Sequence, residues 1–319
     1  MSEKRCLSCY QPLDDAGRDF HAACSRKFFG TPDPPEIPYA LNEMYALAGQ
    51  IVQSSISVTG VQAKISMDVE TFHEAVKRNR LTIVGMWGQY VLKPPSEEYD
   101  SLPELEDVTL HLAELFKIRT VPHSLIRLRS GELAYITRRV DRVDREKFHM
   151  EDFCQLDEKL TEHKYNGSME RAGKIIKRFS ENRGFDLLEF FHVALFSFLT
   201  GNADMHLKNF SLLSTKDGII GLSPVYDLVP TKIALPEDLD EMALTVNGKK
   251  RQLRKNDFLA LAKSLDISDV VLQNSLKSFR ETLPNAVQFI ESSFLSPPHR
   301  EQYRAVLNER GSRINLIGL

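Results

Sequence analysis

The hydrophobic pattern of this chain changes character near residue 145, and this change restricts the possible folds more than any other feature. Before that point, short apolar runs of strand length alternate with turns that contain glycine or proline. After it, apolar residues recur at helical spacing over long segments. The clearest of these predicted helices are 185–199, 255–264, 267–279, 285–294 and 299–308. We therefore predict an α+β, bilobal fold with a β-rich N-lobe and a helical C-lobe.

Two composition shifts give the expected domain boundaries. The stretch TPDPPEIP is rich in proline, which interrupts helices and lacks an amide for sheet pairing. It ends a small Cys/His-containing segment, 1–38, and the N-lobe is expected over 39–145, before a C-lobe over 146–319. Within the N-lobe we predict helices at 41–53 and 104–116, a strand–glycine turn–strand over 54–67, and strands at 81–86, 89–92, 123–128 and 133–138.

Charge and hydropathy exclude several classes of function. The chain has 41 Lys and Arg against 44 Asp and Glu, so its net charge of -3 gives no global attraction to nucleic acid or anionic lipid. No apolar run approaches the roughly 20 residues of a membrane-spanning helix, and the start MSEKRCLSCYQ has no secretory signal. We therefore expect a cytoplasmic protein without membrane association.

A polar stretch among the helices of the second half carries the candidate chemistry. Asp204 and Asn209, in NADMHLKNF, have the Asp-x4-Asn spacing of a kinase catalytic loop. In such a loop the Asp accepts the hydroxyl proton and the Asn binds a metal ion. Asp227, in SPVYDLVP, is the candidate main ligand of Mg²⁺, which prefers oxygen ligands.

Two residues of the first half complete this set. Lys93 ends the predicted strand GQYVLK and is the candidate for the nucleotide phosphates, and the turn around Gly60 would cover the phosphates with backbone amides. Each element also has an ordinary interpretation, since Asp-x4-Asn arises by chance, Asp227 suits a turn or cap, and Lys93 suits a solvated strand end. The order of the elements along the chain favours the kinase interpretation.

Longer motifs resemble one known family. SVTGVQAK resembles the glycine loop of HipA-type kinases, and ADMHLKNFSLL resembles their catalytic loop. YVLKPP, RRVDRV with HMEDFCQL, and LSPVYDL follow in the family's order, over roughly residues 52–228. The resemblance implies a protein-kinase-like fold and an ATP- and Mg²⁺-dependent serine/threonine protein kinase.

Residue roles follow from the resemblance for the positions that match. It implies that Lys93 binds the ATP phosphates, that Asp204 is the catalytic base, and that Asn209 and Asp227 bind Mg²⁺. Further expected neighbours of the nucleotide are Gly60, Val61, Gln62, His206, the hinge from Arg138 to Val140, and Gln155. A structural role stays open for His206, and Gln155 equally suits a helix cap.

The family regulates itself by phosphorylation of a serine in the glycine loop. Ser57 occupies that position, and Ser55 makes the pair that resembles the paired-serine version of shorter members. A phosphate there adds roughly two negative charges where ATP phosphates would bind, so it should repel nucleotide. Serine-rich loops are also common for other reasons.

The chain has too few residues before Ser57 for the N-terminal subdomain of long family members, so it resembles the short, HipT-like form. The resemblance implies two partners, a small protein that supplies the missing subdomain and a helix-turn-helix antitoxin that binds operator DNA. It therefore implies contact with DNA only through the antitoxin.

An N-terminal cluster lies outside the kinase motifs. Cys6, Cys9, His21 and Cys24 form a CxxC and an HxxC pair, which suits tetrahedral Zn²⁺ in a segment with little core of its own. Reduced, buried thiols are the alternative, because four cysteines are too few for a disulfide scaffold. Cys154, in the apolar run DFCQL, is expected in the core.

Three functions remain for comparison. The first is a toxin kinase of a toxin–antitoxin system, whose substrate in the family is an aminoacyl-tRNA synthetase, tryptophanyl- or glutamyl-, with blocked translation as the result. The second is a small-molecule or lipid kinase of the same fold. The third is an inactive interaction module, which the presence of Lys93, Asp204, Asn209 and Asp227 together disfavours.

Overall fold

The computed structural model of the chain describes residues 4–15, 17–54, 64–73, 77–84, 88–143 and 146–317. The predicted glycine-loop residues lie outside this part of the chain, namely Ser55, Ser57, Gly60, Val61 and Gln62. The chain divides into two compact units, Met1–Asp107 with Val121–Arg139, and Val108–Thr120 with Val140–Leu319. The N-terminal Cys/His segment belongs to the first unit.

The first unit is built on a five-stranded antiparallel sheet. Its elements in chain order are α1 (Ala22–Phe29), α2 (Leu41–Ser54), β1 (Ile65–His73), β2 (Lys77–Ile83), β3 (Tyr90–Lys93), α3 (Leu102–Leu115), whose second half belongs to the other unit, β4 (His123–Arg127) and β5 (Leu133–Arg138). The strand order is β2-β1-β3-β5-β4. Strand β2 begins earlier than predicted, because it pairs with β1 as far as the end of the hairpin.

Strand β3 is the middle strand of this sheet, and buried side chains of β1 pack beside it. Ile65 and Met67 are fully buried, while Ser66 between them and Asp68 after them are partly exposed. Ile65 pairs with Leu92 of β3, whose side chain is also fully buried. Pro94 and Pro95 then end β3, because proline has no amide to donate to a neighbouring strand. The last strand position is therefore Lys93.

The second unit is mainly helical, with one small sheet. Its elements are β6 (Arg142–Val143), β7 (Glu146–Lys147), β8 (Met150–Asp152), α4 (Phe153–Leu156), α5 (Met169–Phe179), α6 (Arg183–Thr200), β9 (Ser211–Ser214), β10 (Ile220–Leu222), α7 (Thr231–Ala234), α8 (Lys255–Ser264), α9 (Asp269–Ile290) and α10 (Pro297–Arg313). Strands β10, β9 and β8 form an antiparallel sheet in that order.

Helix α6 lies at the centre of the second unit and packs against α5, α8 and α10. Its aromatic side chains reach different neighbours, since Phe198 lies 5.1 Å from Phe258 of α8 and Phe190 lies 4.9 Å from Phe210 between ring centroids. Both α6 residues are fully buried. Because such a helix is apolar on nearly every side, it forms a core on which the following loop is placed.

The structure corrects one helix prediction. The sequence predicted separate helices at 267–279 and 285–294, but α9 is a single helix of 22 residues with Pro284 inside it. An internal proline costs about 3 kcal/mol or more. The apolar face nevertheless continues past the proline, with Phe279, Leu283, Ala286 and Ile290 all buried. Packing of this continuous face therefore outweighs the local cost.

The predicted fold class is confirmed as a mixed α/β protein with a β-rich part followed by a helical part. Among the residues that the structure describes, no helix combines the length and apolar content needed to cross a bilayer.

One buried histidine predicts how the stability of the protein depends on pH. Burial lowers the pKa of His192 to about 4, whereas the unfolded chain titrates near 6.5. Below about pH 6.5 the unfolded state therefore binds a proton that the folded state does not, and stability falls as the pH falls toward about 4. We expect His192→Gln, which can keep the 2.9 Å hydrogen bond to Ser275, to lose less stability over this range.

The measurement is urea unfolding of the wild type, His192→Gln and a control variant at several pH values between about 4 and 7. His149→Gln is the matched control, because its side chain is 72% exposed. His206 is present in every protein compared, so the difference isolates His192. Parallel stability curves for wild type and His192→Gln would contradict the prediction.

Candidate active site

Lys93 and Glu106 form a buried ion pair in the first unit. The Lys93 Nζ lies 2.5 Å from Glu106 Oε1, and the side chains are 3% and 0% exposed. The backbone of Lys93 is fixed in β3, where it pairs with Tyr135 of β5. The centre of the Tyr135 ring lies 5.2 Å from Lys93 Nζ. Two desolvated charges persist only when the geometry of the pair is well maintained. The predicted phosphate lysine is therefore fixed by a partner on α3.

Sequence reasoning did not identify Glu106, although a signal was present. Glu106 is a carboxylate four residues after Leu102 and four before Leu110, both of which are buried on the same helix. A charged residue at a position of the apolar face requires a partner of opposite charge. Because Lys93 lies at the end of the preceding strand, the apolar-face position of Glu106 would have indicated the Lys93–Glu106 pair.

The loop after α6 brings Asp204 and Asn209 together in the second unit. Helix α6 ends at Gly201, whose φ of 72° is the left-handed conformation that favours glycine. The buried Asn202 accepts the backbone amide of Asp204 on its Oδ1 at 2.9 Å. Asn209 Nδ2 donates to the Asp204 carbonyl oxygen at 2.8 Å. The Asp-x4-Asn spacing is therefore a compact loop whose two ends are joined by an amide hydrogen bond.

Buried apolar residues of this loop hold it against the helical core. Met205 and Leu207 are buried within the motif, and Phe210 follows it. The Phe210 ring lies 5.6 Å from Phe153 and 4.9 Å from Phe190, measured between centroids. Apolar side chains therefore attach the loop to the core, while the Asp204 side chain stays partly exposed and Asn209 is buried beneath it.

The Asp204 carboxylate is half exposed and already accepts a hydroxyl. Tyr165 Oη donates to Asp204 Oδ1 at 2.5 Å, and the Asp204 side chain is 44% exposed. Burial, followed by the negative charge of Asp204, raises the pKa of Tyr165, so the phenol keeps its proton. Sequence reasoning did not identify Tyr165, since it lies far from the motif along the chain and no spacing pattern connects the two.

His206 lies beside Asp204 and Tyr165. Its Nε2 is 3.9 Å from Asp204 Oδ1, and its ring meets the Tyr165 ring edge to face at 5.0 Å. Burial lowers the pKa of His206 to about 4 despite the opposing charge of Asp204, so the imidazole is neutral at neutral pH. Within the described residues its buried Nδ1 has no hydrogen-bond partner. The expected contact of His206 with a nucleotide stays a prediction.

Asp227 follows a half-buried tyrosine that connects it to the same loop. Tyr226 Oη lies 2.6 Å from Ser211 Oγ and donates to the Lys208 carbonyl oxygen at 3.2 Å. Asp227 itself has a φ of 56°, an uncommon conformation for a residue with a Cβ. Its charge acts on both Tyr226 and His206 by raising their pKa, although burial dominates in each. The second unit therefore brings Asp204, Asn209 and Asp227 into one region.

The oxygen atoms of this region fit a hard divalent cation. Asn209 donates to the Asp204 carbonyl oxygen through its Nδ2. This hydrogen bond does not involve Oδ1, the atom of Asn209 that would bind a metal ion. One amide oxygen and the Asp227 carboxylate are the ligand types that Mg²⁺ prefers, with the remainder of its shell supplied by phosphates and water. Asn209 and Asp227 would therefore hold such a cation.

Three other expected site residues have defined positions. Gln155 and Asp152 form a capping box at the start of α4, in which the Gln155 side chain accepts the Asp152 amide at 2.9 Å. Asp152 also binds the motif lysine Lys208 at 2.8 Å. Arg138 ends β5 in the first unit, and Val140 begins the second part of the other unit. The roles of Gln155, Arg138 and Val140 beside a nucleotide stay predictions.

Comparison with known proteins gives a consistent result. The model of the HipA-like C-terminal domain matches residues 56–287. A Sinorhizobium fredii protein named "Putative kinase Y4dM" is 30% identical over 275 residues, which cover 78% of this chain and 66% of that protein. A Haemophilus influenzae protein named "Putative kinase" is 26% identical over 314 residues, which cover 89% of this chain and 88% of that protein.

Two solved structures share the fold. The HipA toxin of Shewanella oneidensis, in a complex with HipB and operator DNA, aligns with a TM-score of 0.66 at 20% identity, over 87% of this chain and 71% of HipA. The Helicobacter pylori proinflammatory kinase CtkA aligns with a TM-score of 0.51 at 17% identity, over 78% of this chain and 93% of CtkA. These matches confirm the predicted kinase-like fold.

The buried pair predicts an unequal response to single and double substitution. Lys93→Met leaves the Glu106 carboxylate buried without the Lys93 cation, which should lower the free energy of unfolding by about 3–5 kcal/mol. Lys93→Met with Glu106→Gln removes both charges and should cost clearly less than the sum of the two single variants. Urea unfolding of the four proteins of this cycle measures the coupling. Strictly additive losses would contradict the assigned ion pair.

Proposed function

Because the chain belongs to the family defined by the HipA-like C-terminal domain, we propose that it is an ATP- and Mg²⁺-dependent serine/threonine protein kinase. The observation that carries this proposal is the hydrogen bond from Asn209 Nδ2 to the Asp204 carbonyl oxygen, 2.8 Å long. It joins the two residues that a kinase needs as base and metal ligand. The names of the relatives and the fold shared with CtkA support the same reaction class.

In the proposed reaction, Asp204 accepts the proton of the acceptor hydroxyl. Its Oδ1 already takes a hydrogen bond from the hydroxyl of Tyr165 at 2.5 Å, which supports the ability of this half-exposed carboxylate to accept one from a serine. Mg²⁺ held by Asn209 and Asp227 would neutralise charge on the nucleotide phosphates. Tyr165 would orient the Asp204 carboxylate through this hydrogen bond.

The remaining roles in the proposal concern the nucleotide. Lys93, oriented by Glu106, would bind the phosphates, as the strand lysine of kinases does together with its glutamate partner. Gly60, Val61 and Gln62 would cover the phosphates with backbone amides. His206, Gln155 and the hinge from Arg138 to Val140 complete the proposed nucleotide neighbours.

We further infer that the kinase is the toxin of a bacterial toxin–antitoxin system. The Shewanella HipA structure contains HipB and operator DNA, which supports a helix-turn-helix antitoxin as partner here, with DNA contacted only through it. A small protein that resembles the N-terminal subdomain of longer members is the second proposed partner. The proposed substrate is an aminoacyl-tRNA synthetase, tryptophanyl- or glutamyl-, whose phosphorylation would inhibit translation and arrest growth.

Self-phosphorylation is part of the same proposal. Ser57, and with it Ser55, would receive phosphate in the glycine loop. The added charge of roughly -2 would oppose the binding of ATP phosphates at that loop. The phosphorylated protein would therefore be inactive.

Incubation with ATP and Mg²⁺ tests the activity. We expect mass spectrometry to find phosphate on Ser57 or Ser55, within the peptide 54–64. Asp204→Asn should lower the rate of transfer by roughly 10²–10⁴-fold, because it removes the general base. Asp227→Ala should abolish transfer, whereas Asp217→Ala, at an exposed position between β9 and β10, is the matched control and should not change it.

The same assay separates the alternative functions. Phosphate on a metabolite or lipid, with none on protein, would favour the small-molecule kinase. Full transfer by Asp204→Asn would contradict its assignment as base. The chain is assayed alone and then with each proposed partner in turn. If it transfers phosphate neither to itself nor to a synthetase in any of these assays, the inactive module is favoured.

Nucleotide binding separates the proposed roles of Lys93 and Asp204. Calorimetric titration with ATP and Mg²⁺ should show nearly unchanged affinity for Asp204→Asn, since the base contacts the acceptor and not the nucleotide. Affinity should fall for Lys93→Met with Glu106→Gln, a double variant that avoids an unpaired buried carboxylate. Equal ATP affinity of this double variant and the wild type would contradict the phosphate role of Lys93.

A further inference from the structure

Four side chains with metal-binding atoms lie together in the first unit, and the proposed kinase reaction uses none of them. The ligand atoms of Cys6, Cys9, His21 and Cys24 all lie within 4.8 Å of one another. They come from two places, the CxxC turn near the N-terminus and the start of α1, and the structure brings these together. The three cysteines are not in disulfides.

The distances between these atoms fit a tetrahedral zinc ion. The His21 Nδ1 lies 3.4 Å from Cys9 Sγ and 3.9 Å from Cys24 Sγ. With Zn–S bonds of about 2.3 Å and Zn–N bonds of about 2.0 Å, tetrahedral geometry separates a sulfur from a nitrogen ligand by about 3.5 Å. The two observed distances lie on either side of this value.

The orientation of the His21 ring also suits a metal ligand. Its Nε2 lies 2.9 Å from the Pro12 carbonyl oxygen. A carbonyl oxygen can only accept, so Nε2 is the donor of this hydrogen bond, and the ring directs Nδ1 at the two sulfur atoms. Histidines that bind metals commonly donate their other ring N–H to a carbonyl or carboxylate in this way.

Backbone hydrogen bonds hold the CxxC turn in place. The amide of Cys6 donates to the Gln11 carbonyl oxygen at 2.9 Å, and the amide of Tyr10 returns to the Cys6 carbonyl oxygen at 3.0 Å. The His21 amide donates to Cys6 Sγ at 3.4 Å, which supports negative charge on that sulfur. The fully buried Cys6 therefore has a polar partner besides the other ligands.

We propose that Cys6, Cys9 and Cys24, through Sγ, and His21, through Nδ1, bind one structural Zn²⁺. Three thiolates and one imidazole are a recognised ligand set for this ion, and four protein ligands leave no open position for catalysis. The zinc would stabilise a segment too small to build a core of its own. On binding, the metal displaces the thiol protons, which go to solvent.

The location of the site shows which part of the fold the metal would stabilise. Tyr10, directly after Cys9, is 1% exposed and donates to Asp107 Oδ2 at 2.6 Å. Asp107 Oδ1 lies 2.7 Å from His123 Nδ1 at the start of β4. Asp107 is the neighbour of Glu106, the partner of Lys93. A zinc ion at the CxxC turn would therefore stabilise the first turns of α3 and the start of β4.

Metal analysis of the wild-type chain tests the proposal. Protein purified in reducing buffer should contain one zinc per chain by elemental analysis and native mass spectrometry. X-ray absorption should show three sulfur scatterers at about 2.3 Å and one nitrogen at about 2.0 Å. Replacement by cobalt(II) should give the intense visible absorption of a tetrahedral thiolate site. None of these measurements needs nucleotide, so their outcome is independent of the proposed kinase activity.

Variants localise the site. Loss of a hydrogen-bond partner of a metal ligand lowers metal affinity roughly 10- to 100-fold. Cys9→Ser removes a ligand itself, so it should lower the affinity for zinc by more than this. Cys154→Ser is the matched control, because Cys154 is a buried free cysteine of the second unit, and it should keep one zinc per chain. Where Cys9→Ser does not fold, the absorption data on the wild type still decide the question.

Other outcomes would overturn the proposal. These are a wild-type protein free of zinc with reduced thiols, a disulfide between Cys9 and Cys24 in protein kept under nitrogen, and zinc with oxygen ligands only. Equal zinc affinity in Cys9→Ser and Cys154→Ser would also overturn it. A chelator should lower the Tm of the wild type, and an unchanged Tm after verified loss of zinc would refute the structural role.

Discussion

The buried pair of Lys93 and Glu106 is the contact on which the arrangement of the first unit most depends. Each ion loses several kcal/mol of hydration when it is buried, and the pair compensates only if its geometry is maintained. Maintaining it requires a strand that ends at Lys93 and a helix whose first turns face that strand end. The adjacent Asp107 binds Tyr10 and His123, so two consecutive acids connect α3 to the sheet and to the N-terminal segment.

The second unit differs, because its two candidate carboxylates, Asp204 and Asp227, are partly exposed and depend on buried neighbours for their position. A helix with a largely buried surface ends at Gly201, and amide side chains of Asn202 and Asn209 then bind the backbone at Asp204. Tyr226 connects the Asp227 segment to the same loop through Ser211 and Lys208. Polar side chains thus hold the loop, while its apolar residues attach it to the core.

Much of the fold was predictable because local pattern and tertiary environment agree. Strand β3 and helix α8 have nearly the expected bounds, since alternation and helical spacing each match the buried face. Helix α9 was wrongly divided, because local propensity at Pro284 opposes the packing of its apolar face. Sequence motifs predicted Asp204, Asn209, Asp227 and Lys93 as site residues, and these roles stay predictions, whereas Glu106 and Tyr165 carry no motif of their own.

The sequence by itself determined the fold class, the family and the residue types of the candidate site, because periodicity and short-range spacing are properties of the local chain. Only the tertiary structure decided which side chains meet across long separations in sequence. It paired Lys93 with Glu106, Asp204 with Tyr165, and the CxxC turn with His21 and Cys24. Such contacts depend on how the elements pack, and packing is the sum of many weak interactions that no single motif records.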